Sequence, residues 1–262
     1  MTPTTEEASA SKHVMAPGVR LVRSNAGLLF TPLVVVLGSI ALYLYNRNAD
    51  KIFQDERALD WGKNLQPQLE QHLSLTLWST VITIVVAVPL GIVLTRPKYA
   101  RAGTPILAVA TSGQAIPAFG LLVIAFAWLG RGPWTTIWAL SLFTLLPVLR
   151  NTIVGLEQVD KNIIEAGRGM GLTRRQTLRQ IELPLAIPVI LAGVRTALVI
   201  TVGMAALAYL IGGGGLGATI SAGLKLSRDL VLITGAVMTA LVALTVDWIA
   251  ALIEKMLRPS GL

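Results

Sequence analysis

Few side chains in this sequence have the type and spacing needed for covalent chemistry. The chain contains no cysteine, which excludes thiolate nucleophiles, disulfides and sulfur-ligated metal sites. Its two histidines, His13 and His72, have no other metal-ligating side chain at a useful spacing, so we expect no metal site. No segment of the sequence brings together a nucleophile, a base or a set of metal ligands. We therefore expect no catalytic residues and a protein that is not an enzyme.

The run GGGGLG at 212–217 is the one pattern that suggests a nucleotide, because Gly212, Gly214 and Gly217 formally satisfy G-x-G-x-x-G. That fingerprint needs a preceding strand and a following helix in a βαβ unit, whereas this run ends a long apolar segment. The phosphate-loop pattern G-x-x-x-x-G-K-[ST] is also missing from the sequence. We interpret the run as a flexible bend or hinge at the outer mouth of a pathway, since glycine adopts backbone angles that other residues avoid.

Arg195 and Asp247 are the two ionisable side chains placed most deeply in apolar segments. A charge inside a membrane is costly unless it is paired or hydrated. We hypothesise that they pair with each other or face a wet cavity. Direct contact with a substrate is the less favoured alternative.

The composition indicates that lipid is the solvent of this chain. Of its 262 residues, 53% are hydrophobic and 14% are charged, against about 25% charged in soluble domains. The net charge of +8 does not indicate nucleic-acid binding, because the basic residues lie in short loops between apolar runs and not on one polar domain. We expect a polytopic membrane protein that contacts the bilayer and no nucleic acid.

Six apolar segments are near the length of about 20 residues that a transmembrane helix needs, which predicts an all-α fold. The first is expected to be an uncleaved helix that follows a polar tail at 1–27. A loop at 47–71 separates the first two, and a short tail at 259–262 ends the chain. The predicted spans are 28–46, 72–95, 104–129, 133–155, 184–211 and 229–255.

The third predicted span is interrupted by proline and glycine, and its centre carries polar residues. Interrupted helices persist in lipid where protein or a water-filled cavity satisfies the freed backbone groups. One hypothesis is that Gln114, Pro117 and Phe119 line the transport pathway or its gate. The equally favoured alternative is a kink that serves only packing.

Lys and Arg predict the orientation, because short loops rich in them stay in the cytoplasm. An N-terminus inside the cell places more of these residues inside than outside. Both termini and the loop at 156–183 are then expected to be cytoplasmic, and the loop at 47–71 external.

The polar segment EAGRGMGLTRRQTLRQIELP at 165–184 lies in that cytoplasmic loop. Asp160 is a suitable N-cap for a first helix, in which Ile163, Ile164, Gly167 and Met170 are expected to share one face. Gly171 should end this helix, and Thr173 with Gln176 has the form of a capping box that begins a second one. The residues alone leave two alternatives: docking to a partner protein, or resting on anionic lipid.

This segment resembles the EAA signature of the permease subunits of binding-protein-dependent ABC importers. Gly167 stands where the signature normally has a second alanine, and we expect it to loosen the first helix slightly. The residues that match are Glu165, Ala166, Gly171, Ile181, Leu183 and Pro184.

The resemblance implies a type I importer core of five helices over 72–258, with the first span as an accessory helix. It implies that the loop at 156–183 inserts into a groove of a separate cytoplasmic ATPase, present in two copies, which binds ATP and Mg²⁺. It also implies a second permease subunit, identical or related, an external substrate-binding protein, and a location in the bacterial cytoplasmic membrane.

Four further stretches are similar in order and spacing to the osmoprotectant subfamily, which imports glycine betaine, carnitine or choline. A quaternary amine is usually held by an aromatic cage, which we expect on the external binding protein. The alternatives are an importer for another small polar solute, such as an amino acid, or a self-sufficient secondary transporter. The stretches are QAIPAFGLL from 114, LLPVLRNTIVGL from 145, ELPLAIPVILAGVRTA from 182 and LIGGGGLGATI from 210.

Overall fold

Every regular element is a helix in the part of the chain that the computed structural model describes, residues 17–113 and 115–257. Short π-helical turns at Trp61–Leu65 and Leu178–Glu182 lead into two of the long helices, and a 3₁₀ turn at Ala208–Ile211 follows the second of these helices. The α-helices are α1 (Pro17–Asn48), α2 (Phe53–Ala58), α3 (Gln66–Leu94), α4 (Ala100–Gly113), α5 (Ala118–Leu129), α6 (Pro133–Glu157), α7 (Lys161–Gly169), α8 (Arg174–Thr177), α9 (Leu183–Ala205), α10 (Gly217–Lys225) and α11 (Asp229–Leu257).

The helices α1, α3, α6, α9 and α11 are long and apolar enough to cross a bilayer, which confirms the predicted all-α membrane fold. The third predicted span, 104–129, is wrong as one crossing helix. It consists of α4 with 14 residues and α5 with 12. Pro117 adopts a non-helical ψ of 135°, and a proline also disfavours helical backbone at the residue before it.

Three other predicted boundaries move. The loop at 47–71 is partly helical, because it contains α2 and the π-helical turn, and α3 begins at Gln66. At the same end of the bundle, α9 stops at Ala205 and not at 211. The chain tightens into the 3₁₀ turn there because the following glycines adopt positive φ.

The core forms around α6, which packs between α3 and α9. Leu140, Val148 and Leu149 of α6 are fully buried. They contact apolar residues of both neighbours, including Leu75 of α3 and Ala197 of α9. The most buried helix is thus the one that holds two crossing helices together.

A polar seam joins α3 to α6 inside this core. Thr83 Oγ1 donates to the carbonyl oxygen of Ser141 at 3.1 Å and lies 3.0 Å from Thr144 Oγ1. Ser141 Oγ lies 3.1 Å from the carbonyl oxygen of Ser79. Small polar side chains of this kind let membrane helices approach closely and bond to one another.

The N-terminal helix α1 packs along α11. Asn46 Nδ2 donates to Thr234 Oγ1 at 3.0 Å near one end, and Trp248 Nε1 donates to the carbonyl oxygen of Leu28 at 2.8 Å near the other. Between them, a Cβ on Gly38 would lie only 2.8 Å from Leu241 Cδ2. The accessory helix is therefore held against the last helix by two hydrogen bonds and by close packing at Gly38.

The segment between α1 and α3 is held by a buried ion pair. Asp55 of α2 is fully buried, and its carboxylate accepts from both Nε and Nη2 of Arg228, with the Nε bond at 2.9 Å. The hydrogen bond from Arg228 lowers the pKa of Asp55 below its ordinary value and outweighs the opposing effect of burial. Asp55 therefore stays ionised and anchors α2 to the start of α11.

Close packing of α9 on α6 generates a prediction. A Cβ on Gly193 would lie 2.9 Å from the carbonyl oxygen of Pro147 and 2.6 Å from Asn151 Cβ. We expect Gly193→Ala to lower the free energy of unfolding by about 1–3 kcal/mol, because the two helices must separate. The matched control is Gly203→Ala on the same helix, where a Cβ meets nothing within 4 Å. Thermal unfolding of the purified chain measures both, and equal stability of the two variants would contradict this packing.

Candidate coupling site and transport pathway

The segment at 160–183 folds as two short helices around a tight turn. Asp160 caps α7 by accepting from the backbone N–H of Asn162 at 2.8 Å. Gly171 has a φ of +90° and donates to the carbonyl oxygen of Arg168 at 2.9 Å, so it ends the first helix as predicted. The capping box of Thr173 and Gln176 also forms. The local signals in the sequence are confirmed.

The four residues expected to share one face of the first helix, Ile163, Ile164, Gly167 and Met170, differ in burial. Gly167 is buried and Ile164 is half-buried, while the side chain of Met170 is 78% exposed and that of Ile163 is 46% exposed. The short helix turns one side towards the bundle and presents two apolar side chains on its surface. Glu165 and Ala166 are exposed as well.

Gly167 has a packing role that the sequence did not reveal. A Cβ on Gly167 would lie 2.4 Å from Ile181 Cδ1 and 3.4 Å from Leu172 Cδ1. The missing side chain makes room for Ile181, so the two halves of the signature contact each other here. Leu183 packs against the apolar cluster of Leu156, Ala186 and Ile190, and Pro184 lies in the first turn of α9.

A buried ion pair that sequence reasoning missed ties this segment to α3. Arg96 Nη2 donates to Glu182 Oε2 at 2.6 Å, and Nη1 donates to Oε1 at 3.3 Å. The Glu182 side chain is 6% exposed and that of Arg96 is 30% exposed. Arg96 Nε also donates to the carbonyl oxygen of Ile92 in the last turn of α3. The sequence contained one indication of this pair, because Glu182 and Arg96 each border a predicted transmembrane span.

Arg195 of α9 and Asp247 of α11 form a two-pronged ion pair. Arg195 Nε and Nη2 donate to the two carboxylate oxygens at 2.5 Å and 2.7 Å. Glu254, which the sequence reasoning did not consider, lies 3.8 Å from Arg195 Nη1. The three side chains are between 26% and 38% exposed. The pair therefore joins two crossing helices and still borders an open surface of the single chain.

The glycine run forms a bend, as expected, and several contacts hold it in place. Gly212 and Gly214 have φ near +80°, and a Cβ on Gly217 would lie 1.8 Å from the carbonyl oxygen of Ala206. Gln71 of α3 accepts from the N–H of Gly215 at 3.0 Å. Hydrogen bonds and close backbone contact therefore hold this bend against the start of α3.

His72 lies beside this bend and is buried, with its Nε2 3.0 Å from the carbonyl oxygen of Val202. It links α3 to α9. In the described residues, three or more His, Asp or Glu side chains nowhere group closely enough to hold a metal ion.

The residues considered for the pathway lie on neighbouring elements. Gln114 falls outside the described residues. Pro117 precedes α5, and Phe119 in its first turn is 49% exposed. An apolar cluster of Leu122, Ala139 and Ile211 brings α5 next to the 3₁₀ turn that leads into the glycine run.

These features define a class of membrane protein, and comparison with known proteins identifies it. The chain belongs to the family of binding-protein-dependent transport system inner membrane components, whose model matches residues 87–259. It is a multi-pass protein of the inner membrane and a transport permease subunit.

Its relatives within the family are named as osmoprotectant permeases. The choline transport system permease protein OpuBB of Bacillus subtilis (strain 168) is 41% identical over 201 residues, which cover 77% of this chain and 92% of that protein. The carnitine transport permease protein OpuCB of Listeria monocytogenes is 41% identical over 77% of this chain and 91% of its own length. The osmoprotectant import permease protein OsmW of Salmonella typhimurium is 39% identical over 73% and 91%.

The fold also matches a solved transporter. A chain of the MetNI methionine ABC transporter in an inward-facing conformation superposes with a TM-score of 0.65, at 24% identity. The match covers 74% of this chain and 96% of that one. At this identity the likeness concerns the fold alone.

The Arg96–Glu182 pair generates a prediction. We expect Arg96→Ala to lower the free energy of unfolding by about 2 kcal/mol, because it leaves a buried carboxylate without its partner. Amide hydrogen exchange across 161–182 should rise. The control Arg150→Ala removes an exposed arginine and should change stability by less than about 0.5 kcal/mol.

The double variant Arg96→Ala/Glu182→Ala tests whether the two side chains act as a pair. It should be more stable than Arg96→Ala alone, since no unpaired buried charge remains. Additive losses in the two single variants would show that the side chains act independently.

Proposed function

We propose that this chain is the membrane-spanning permease subunit of an ATP-driven importer for a compatible solute such as choline, carnitine or glycine betaine. An external binding protein delivers the solute. Two copies of a cytoplasmic ATPase, which bind ATP and Mg²⁺, supply the energy. The fold of the segment at 160–183 carries this proposal, because it forms a rigid helix–turn–helix with apolar side chains exposed on a polar loop.

The surface of this segment is suited to a protein partner. Ile163 of α7 and Met170 just after it are exposed, and Arg168, Arg174 and Arg175 of the same segment are exposed as well. An apolar centre with a charged rim is the usual composition of a protein interface. We propose that Glu165, Ala166 and Gly171 belong to the surface that enters a groove of the ATPase.

Two connections can carry a movement of this segment into the membrane. The π-helical turn at Leu178–Glu182 runs without a break into α9, so the second half of the segment moves with that helix. The Arg96–Glu182 pair ties the same turn to the end of α3. Closure of two ATPases against two such segments would thereby tilt α3 and α9 and switch access between the two sides of the membrane.

A complete pathway in this proposal needs a second permease subunit, identical or related, because one bundle of this size encloses no path. The Pro117 break, Phe119 and the bend at Gly212–Gly217 are the proposed elements of the pathway or its gate. We propose that the Arg195–Asp247 pair holds α9 and α11 together beside it. Both termini are proposed to be cytoplasmic, with the bend at 212–217 on the external side.

The relatives support the choice of solute. Three permeases at 39–41% identity are named for choline, carnitine or osmoprotectant transport. An amino acid is the second candidate, since a methionine transporter shares the fold. A self-sufficient secondary transporter is not supported, because the family is one of binding-protein-dependent systems.

One prediction from the proposed function concerns coupling to the ATPase. Gly171→Pro should reduce the ATPase that co-purifies with the tagged chain from native membranes by roughly tenfold or more. Proline cannot adopt the φ of +90° and lacks the N–H that bonds to Arg168. Gly169→Ala is the matched control, since a Cβ there meets nothing within 4 Å. Full retention of the ATPase by Gly171→Pro would place the interface elsewhere.

The second prediction concerns the solute. Proteoliposomes that contain the complex purified from native membranes, with its binding protein, should take up labelled choline, carnitine or glycine betaine only when ATP is enclosed with the ATPase. Labelled methionine and histidine serve as competing solutes. Uptake of amino acids alone would refute the solute class while keeping the importer class. Uptake of the labelled osmoprotectants without ATP would refute ATP-driven import while keeping the solute class.

A further inference from the structure

A long groove lies between α1, α11 and the start of α3, away from the coupling segment. It encloses about 930 Å³. Binding sites for small molecules commonly measure about 300–1,000 Å³, so the groove is large enough for a specific ligand. The proposed transport function makes no use of it.

The wall of this groove is apolar along most of its length. Leu42 of α1, Leu69 and Leu73 of α3 and Val246 of α11 are among the residues that line it. Several of its polar side chains already have partners: Thr245 Oγ1 donates to the carbonyl oxygen of Leu241 at 2.7 Å, and Asn46 Nδ2 donates to Thr234 Oγ1 at 3.0 Å. Such a wall favours an apolar ligand over water or a polar solute.

One end of the groove is different in character. Arg47 and Lys51 line it there, together with Trp61, an aromatic side chain of the kind that favours the headgroup layer. Within the described part of the chain, neither cation forms an ion pair. Two cations outside any close ion pair therefore stand at the mouth of an apolar groove, and Lys51 is near enough to Asp55 to help lower the pKa of that carboxyl group.

The length of the groove matches one leaflet of a bilayer. Along α1 it runs from Val35 to Arg47, and a rise of 1.5 Å per residue makes this distance about 18 Å. The hydrocarbon core of a bilayer is about 30 Å thick, so one leaflet is about 15 Å. The apolar wall therefore spans the acyl layer, and the two cations reach the level of the headgroups.

We propose that this groove binds one anionic glycerophospholipid, with an acyl chain between α1 and α11 and its phosphate on Arg47 and Lys51. A second copy of the chain is the less suitable occupant, because an apolar groove of one leaflet's length that ends at two cations matches an acyl chain with a phosphate at its head. The bound lipid completes the contact of α1 with α11, which direct hydrogen bonds fix only near its two ends. This site is independent of which solute the protein carries.

The test measures lipid retention by the full-length chain. The chain is reconstituted in nanodiscs of equal parts phosphatidylglycerol and phosphatidylcholine, released, and examined by native mass spectrometry for the lipids that stay bound. The wild-type chain should retain phosphatidylglycerol in preference to phosphatidylcholine. In Arg47→Gln/Lys51→Gln this preference should fall about 25-fold, because each Lys or Arg at an anionic membrane surface contributes about fivefold.

Two further variants separate the headgroup from the acyl chain. Arg57→Gln/Lys63→Gln removes the same charge from the same loop outside this groove and should keep the preference. Val242→Trp fills the groove and should reduce retention of both lipids. Because the altered side chains lie on the surface or along the groove, an unchanged melting temperature shows that each variant is folded.

Three results would overturn the proposal. One is a wild-type chain without preference for phosphatidylglycerol, and another is an undiminished preference in Arg47→Gln/Lys51→Gln. The third result uses a single introduced cysteine, because the chain has no native cysteine. A disulfide between two copies of the Ser39→Cys variant would show that another chain occupies the groove.

Discussion

The absence of water in the bilayer is the constraint on which the structure depends, because each polar group within it needs a partner from the protein. The backbone meets this constraint by forming helices. Side chains meet it in pairs: serine and threonine hydroxyls bond across α3 and α6, and Arg195 meets Asp247 between α9 and α11. The polar contacts inside the bundle are therefore also the contacts that define which helices are neighbours.

The same constraint explains why the coupling segment is connected to the bundle by few but strong contacts. At the membrane surface, a buried carboxylate requires a cation, and Glu182 takes it from the end of α3. Gly167 lets Ile181 pack beneath the first short helix, which fixes the angle between the two halves of the segment. In the proposed mechanism, these contacts would pass a movement imposed on the exposed side of α7 to α3 and α9.

Much of the fold was predictable because its signals are local. Five of the six spans follow from runs of apolar residues, and Asp160, Gly171, Thr173 and Gln176 mark helix ends through caps that involve only neighbouring residues. The third span could not be resolved by hydropathy. Its proline, glycine and polar residues indicated an interruption, but hydropathy did not show that the backbone leaves the helix at Pro117 and divides the span in two. Periodicity also did not show which residues of the first short helix are buried, because that depends on the contact of Gly167 with Ile181.

The sequence by itself determined the class of this protein: an all-α permease with a coupling signature, since lipid-spanning length and capping residues are properties of short stretches of chain. Only the tertiary structure decided that Arg96 holds Glu182, that Arg228 anchors Asp55, and that α1 and α11 leave a groove that ends in two cations. These partners are separated by many residues along the chain. The physical reason is that burial and pairing depend on how the helices assemble. A local sequence pattern does not show which distant side chain will pair with a given charge.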